Sequence, residues 1–270
     1  MRTYPHGVPC WIDTEQTAPD DAARFYGELF GWTFEDAGRG SYLIASLDSQ
    51  EVAAIAPGGD GATVAWNTYI AVDDADTTAA AVAGAGGSVR EDPVDAGPGG
   101  RMAVCSDPGG ARFRLWQALA RPGAQVVNAP GAWNFSDLRT ADPPSARQFY
   151  EPLFGWEVAD LGFAAMIRRP GYGDHLEATV DPDIRSRQGA HNVPPGFEDA
   201  IGWLAQAGPG EADHWHVTFT VADRDASVAL AVRLGATVVS AEDTDWTKHA
   251  LIRDPQGAEL TISQFTPPGS

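Results

Sequence analysis

Hydrophobic and polar positions along this chain alternate between two periods, and the order of the periods repeats. Short runs of period two, Cys10 to Glu15 and Asn134 to Arg139, predict strands, and each precedes a run with helical spacing. In the first helix Ala22, Phe25, Tyr26 and Leu29 share a face and Gly31 is the stop; in the second Pro143 and Pro144 suit the first turn and Gly155 ends it. Strands follow around Tyr42 to Leu47 and Val52 to Ala56, matched by Phe163 to Arg168 and Leu176 to Val180. The clearest alternation sets Trp66, Thr68, Ile70 and Val72 against Asn67, Tyr69 and Ala71, and Trp215, Val217, Phe219 and Val221 against His214, His216, Thr218 and Thr220. Alanine-rich helices (Ala75 to Ala85; Asp225 to Leu234) run into Gly86-Gly87 and Gly235. Each series ends in two strands around an Asp-Pro-x-Gly turn, Met102 to Cys105 with Arg112 to Gln117, and Ala250 to Arg253 with Glu259 to Gln264.

The recurrence is also one of residues. Phe25-Tyr26-Gly27-Glu28-Leu29-Phe30-Gly31-Trp32 returns as Phe149-Tyr150-Glu151-Pro152-Leu153-Phe154-Gly155-Trp156, displaced by 124, and Trp11-Ile12-Asp13 falls on Phe135-Ser136-Asp137 at the same displacement. Val72-Asp73-Asp74-Ala75-Asp76 matches Val221-Ala222-Asp223-Arg224-Asp225 at 149, and Asp107-Pro108-Gly109-Gly110-Ala111 matches Asp254-Pro255-Gln256-Gly257-Ala258 at 147. Four matches in one order mean a duplication. The first module spans 1–123 and the second 124–270, with linker composition from Ala118 to Pro130. The growing displacement places an insertion in the second module at about 182–213, read as a loop with a helical turn or two around Phe197 to Leu204. Each half contains two βαβββ units. The predicted fold is α+β: tandem modules whose antiparallel or mixed sheets curve into cups with helices outside.

Composition narrows the function classes. Among 270 residues the formal charge is −19, which opposes nucleic acid and anionic membrane as partners. Two cysteines, Cys10 and Cys105, form no disulfide framework and no Cys-x-x-Cys, and read as buried thiols. No signal-peptide pattern and no run of about 18 apolar residues stands out, so the expectation is a cytoplasmic protein. Gly-x-Gly-x-x-Gly, phosphate-loop and Gly-x-Ser-x-Gly patterns are missing, which leaves nucleotide and serine-nucleophile chemistry without support. The polar strand faces carry Trp11, Tyr69, Trp116 and Phe135, and large aromatics there point to a sheltered cavity rather than open solvent.

The paired βαβββ units, the Phe-Tyr-x-x-Leu-Phe-Gly-Trp helix end and the Asp-Pro-x-Gly-Ala turn resemble the vicinal oxygen chelate superfamily of glyoxalases, extradiol dioxygenases, fosfomycin-modifying enzymes and bleomycin-binding proteins. More narrowly the chain looks like two-module actinobacterial glyoxalase-like proteins. In metal-dependent members the resemblance implies ligands on the first strand, the strand before Val-x-Asp and the last strand. Those places hold Trp11, Asn67 and Arg114 in the first module and Phe135, His216 and Thr261 in the second. An indole, an amide and a guanidinium offer a divalent ion little. Only His216 remains a good donor; Glu259, two residues before Thr261, could join it around a weakly held metal, with His214, His175 and Glu177 as further donors.

Other roles follow for the same face. Arg114 is read either as the partner of Asp13 in an ion pair bracing the cup or as a clamp for a ligand anion or carbonyl. His216 is read as a hydrogen-bonding strand residue or as an acid/base oriented by Glu259 or Asp137. The leading expectation is metal-independent binding of a small apolar or aromatic molecule, with no cofactor, by a monomer or homodimer. It would serve drug sequestration, resistance or secondary metabolism. Trp11, Tyr69, Trp116, Phe135 and Trp246 would stack on the ligand, while Asp13, Asn67, Arg114, Asp137, His216, Glu259 and Thr261 would orient it. The rivals are a glyoxalase-like lyase, isomerase or hydroxylase-like enzyme working through His216, with Glu259 in support, and a structural or regulatory protein whose cups are filled by its own side chains.

Overall fold

The computed structural model describes residues 1–37, 42–59, 64–162, 164–189 and 193–266. Four βαβββ blocks follow one another. The first is β1 (Pro9–Gln16), α1 (Pro19–Phe30), β2 (Thr33–Asp36), β3 (Leu43–Leu47) and β4 (Gln50–Pro57). The second is β5 (Ala65–Ala71), α2 (Ala75–Gly84), β6 (Ser88–Asp95), β7 (Gly100–Ser106) and β8 (Arg112–Ala118). In the third, β9 (Trp133–Thr140), α3 (Pro143–Phe154), β10 (Glu157–Asp160) and β11 (Ala165–Arg168) precede two extra helices, α4 (Tyr172–Thr179) and α5 (Ile184–Gly189), and then β12 (Ala200–Gln206). The fourth is β13 (His214–Thr220), α6 (Arg224–Arg233), β14 (Thr237–Asp243), β15 (Thr247–Arg253) and β16 (Glu259–Phe265). The strands form two mixed eight-stranded sheets, ordered β2-β3-β4-β1-β5-β8-β7-β6 and β10-β11-β12-β9-β13-β16-β15-β14. The fold is α+β, with the same block pattern twice over, as the repeats imply.

Packing groups the blocks differently from the sequence. One compact unit is built from Met1–Cys10, Thr68–Gly123 and Ser136–Trp215, the other from Trp11–Asn67, Ala124–Phe135 and His216–Ser270. Each unit therefore combines a block from each module. In the first, Ile70, Phe113 and Leu115 pack with Phe149, Tyr150, Phe154, Trp156 and Trp215 into a buried core. In the second, Tyr26, Phe30, Trp32, Trp66 and Phe219 do so, with Phe30 and Phe219 rings 4.7 Å apart.

The two repeated motifs meet inside each unit. Tyr26 donates its hydroxyl to Asp254 Oδ2 at 2.8 Å and accepts from the Trp66 indole at 3.2 Å. Asp254 Oδ1 takes the backbone N–H groups of Gln256, Gly257 and Ala258, which shapes the Asp-Pro-x-Gly turn. In the other unit Tyr150 donates to Asp107 Oδ2 at 3.1 Å, Trp215 donates to Tyr150 at 3.2 Å and Ala111 N–H bonds Asp107 Oδ1. Burial drives both tyrosine pKa values up, and that of the Asp107 carboxyl as well. The Trp ending each motif donates to a glycine carbonyl, Trp32 to Gly131 and Trp156 to Gly7, at 2.7 and 2.6 Å. Both glycines sit at positive φ, +83° and +86°, where a side chain would strain the backbone and strike a carbonyl at the end of the aromatic helix.

Two expectations change. Leu176 to Val180 is no strand: Tyr172 and Leu176, four apart, bury one face of α4, and only Phe197–Asp199 forms a short turn before β12. Between β11 and β9 the sheet has β12 instead, with Leu204 opposite Leu138. The extra residues thus lie at about 172–199, ahead of the proposed 182–213, and Ile201 to Leu204 stand 149 residues after Val52 to Ile55. The strand expected from Phe163 begins at Ala165; Phe163 lies outside the described residues. The pattern also left β2, β6, β10 and β14 undrawn. These four end the two sheets, and edge strands such as the wholly exposed β14 have no buried face to set an alternation.

Removing one hydroxyl tests the motif contact. Tyr26→Phe should lower unfolding stability by about 1 kcal/mol, the usual net value of a buried hydrogen bond. Asp254→Ala should cost more, because it also removes the acceptor of the Gln256 and Ala258 backbone N–H groups and of the Gln16 amide; denaturant midpoints measure both.

Candidate functional site

The candidate side chains stand on strand faces opposite the cores. On β1 the core takes Ile12 and leaves Trp11, Asp13 and Glu15 on the other side. There the Trp11 indole donates to Tyr42 Oη at 3.1 Å, Tyr42 donates to Asp13 Oδ2 at 3.2 Å, and the Asn67 amide donates to Asp13 Oδ1 at 2.8 Å. Asp13 is completely buried and both its oxygens are bonded. Tyr42, which completes this network, escaped the sequence reading because its partner Asp13 lies 29 residues away and no periodicity links the two.

In the other unit Tyr69 lies opposite Arg114 in the parallel ladder of β5 and β8. Arg114 is buried; its Nη1 donates to Tyr69 Oη at 2.7 Å and its guanidinium carbon lies 5.3 Å from the Tyr69 ring centre. Trp116 meets Tyr69 edge-on at 6.1 Å and donates to the Arg121 carbonyl at 2.8 Å.

The second module fills the matching places with different chemistry. His216 is 3% exposed and its Nε2 lies 2.8 Å from Thr261 Oγ1, so the structure joins these two candidates. Glu259 is instead bonded to Arg253, at 2.6 Å, at the exposed start of β16. Trp246 is half-buried and stacks on Phe265 at 6.2 Å, and Phe135 is half-buried on β9. His175 and Glu177 sit on a helix, where residues two apart do not share a face. His175 Nε2 is 3.0 Å from the Thr3 carbonyl, and Glu177 is paired with Arg185. His214 Nδ1 is 2.9 Å from the Ala212 carbonyl within its own loop.

Asp137, 124 residues after Asp13, has a different setting. It is half-buried on β9 and accepts the Trp203 backbone N–H at 3.2 Å. Burial pushes its pKa up to about 7, opposed by the charge of Arg139 and by that hydrogen bond. Trp203 and Phe197, whose rings lie 6.3 Å apart, were missed in the sequence because their segment reads as part of the insertion.

The fold's metal chemistry can be weighed against these donors. The three aligned places of the first module offer an indole, an amide that donates to Asp13 and a guanidinium that donates to Tyr69. Those of the second offer a phenyl, a hydroxyl and the one imidazole. Among the described residues no three His, Cys, Asp or Glu side chains are grouped to hold a metal ion. This donor set does not fit a divalent cation.

The Asp137 carboxyl carries a pH signature. Its folded pKa lies above the unfolded value of 3.8, so folding takes up a proton between 3.8 and about 7 and stability falls as pH rises through that window. Asp137→Asn removes this loss. The variant should gain melting temperature over the parent, with a larger gain at pH 8 than at pH 5; equal gains at both would contradict it.

Comparison with known proteins bears on the family and the fold. Among the described residues no helix is long and apolar enough to cross a membrane. A mycobacterial protein named "Putative glyoxylase CFP32", from Mycobacterium bovis, is 35% identical over 274 residues, covering 98% of this chain and 97% of that one. The "Anthracycline biosynthesis protein DnrV" of Streptomyces peucetius is 34% identical over 284 residues, covering 98% and 96%. Among solved structures, the Mn(II)-bound glyoxalase from Novosphingobium aromaticivorans superposes with a TM-score of 0.63 at 16% identity, covering 96% of this chain and 82% of that one, a likeness of fold. The model of the glyoxalase-like domain matches residues 11–116 and 133–263, and the chain belongs to that family.

Proposed function

We propose that this protein binds a small planar, largely apolar or aromatic molecule without a metal ion, as a sequestering or accessory protein of secondary metabolism. The observation that carries the reading is the chemistry at the places where metal-dependent relatives present donors. Trp11, Asn67, Arg114, Phe135 and Thr261 are side chains that stack on or hydrogen-bond to organic groups and serve a cation poorly. Their half-buried neighbours Tyr42 and Trp203 add ring surface, while Tyr69 and Trp116 are buried beside Arg114. Relatives of this length are named for anthracycline biosynthesis, a chemistry of fused aromatic rings. The acidic surface, formally −19, fits a soluble cytoplasmic carrier of neutral or cationic aromatics better than of polyanions. Monomer and homodimer serve this role equally.

The test is direct titration. Purified protein in chelator should show saturable quenching of tryptophan emission by anthraquinone and 2-methoxynaphthalene, in the micromolar range and unchanged when divalent metal is restored. A requirement for added metal, or failure of every planar aromatic to bind, would overturn the proposal.

A further inference from the structure

We infer that the second module does the recognising and that Asp137 selects a hydroxyl group on an aromatic ligand, a phenol. This inference rests on the binding role proposed above and adds to it the working module, the residue and the ligand class.

Two aspartates stand at one place in the repeat, Asp13 and Asp137. Asp13 is wholly buried, and its oxygens are taken by the Asn67 amide and the Tyr42 hydroxyl. Asp137 has lost both partners. The Asn67 position, 149 residues on, is His216, which is bonded to Thr261, and nothing on β11 replaces Tyr42. In the strand register the place of Tyr42, one residue before β3, is held by Ala164, one residue before β11, and what remains for Asp137 is one backbone N–H, from Trp203 to Oδ1. Among the described residues Oδ2 has no hydrogen-bond partner, in a side chain that is only half-exposed. A carboxylate oxygen so placed is satisfied by a donor from outside the chain.

The surroundings name the donor. Leu138 and Leu204 face each other in the ladder and lie in the core, so Asp137 and Trp203, one residue earlier, share the opposite face. Met166 pairs with Trp203 and is fully buried, and Phe197 lies against the Trp203 ring. The half-buried Trp203 and Phe197 rings suit an aromatic ligand. The charged groups nearby are Arg139, two residues along the same strand face, and Glu211, 3.5 Å from it. Arg139 disfavours an ammonium donor at Asp137, whereas a neutral hydroxyl meets no repulsion.

Binding of 2-naphthol and 2-methoxynaphthalene, in which a methyl group replaces the donated proton, tests this at pH 7.5. The parent protein should prefer 2-naphthol by about tenfold, the worth of one hydrogen bond to a charged group. Asp137→Asn and Asp137→Ser, with folding checked by thermal melting, should bring that ratio close to one. A parent that binds both probes equally, or variants that keep the preference, overturns the selection by Asp137 and leaves aromatic binding standing. A parent that binds neither probe overturns both.

Discussion

A buried tyrosine hydroxyl on the aspartate of a tight turn is the contact on which both units depend. The aspartate does two jobs at once. One oxygen gathers the backbone N–H groups of its own turn and the other receives the hydroxyl of a helix from the other module. The hydroxyl shares the Asp254 oxygen with the Gln16 amide, a second donor from the first module, and without the carboxylate both donors and the N–H groups of the turn lose their acceptor. Because the two motifs come from different modules, each half of the sequence needs the other to complete its packing. The tryptophan-to-glycine contacts act in the same sense, tying the end of the aromatic helix to the segment that leads into a strand.

Divergence between the repeats has been compensated rather than tolerated. Where the first unit has Ile70 beside Phe113, the second has Phe219 and Leu260 at the matching places, so the bulky ring moves to the neighbouring strand while core volume is kept. An arginine bridges aspartates in both units. Arg101, on β7, bonds Asp76 and Asp95, while Arg224, at the start of α6, bonds Asp225 and Asp243. The carboxylates keep their places and the cation arrives from a different element. At the helix entrance, Gln256 accepts from Thr17 and the Ala18 N–H; where the other unit has Gly109, Asp213 reaches in from a loop to accept from Thr140 and the Ala141 N–H.

These compensations explain what was legible in the sequence. Residues that close a shared contact, such as Tyr26, Trp32 and Asp254, recur at fixed displacement and announce the duplication and the α+β blocks. The extra helices had no counterpart to align with, so Leu176 read as strand although its buried partner Tyr172 lies four residues away, the helical interval. Edge strands were silent because nothing buries them. The candidate residues on β1, β5, β8 and β13 were found from strand alternation and from the places the family resemblance implies, while Tyr42, Trp203 and Phe197 were not. Their roles come from neighbours distant in sequence, and no period of two or 3.6 encodes that.

Duplication also supplies a reason for the two modules to differ in chemistry as well as packing. A carboxylate buried in a strand face must be bonded or else raise its pKa. The first module took the former course, with Asp13 held by an amide and a phenol of its own chain, which gives rigidity and leaves that carboxylate nothing to offer a ligand. The second took the latter, with Asp137 raised to about 7 and one oxygen unclaimed. A single-module ancestor would have had to choose between a braced sheet and a reactive one. With two copies, one can brace while its twin carries an unpaid polar group, and that asymmetry is what selection for a bound partner would preserve, since stability alone would have supplied Asp137 with a donor.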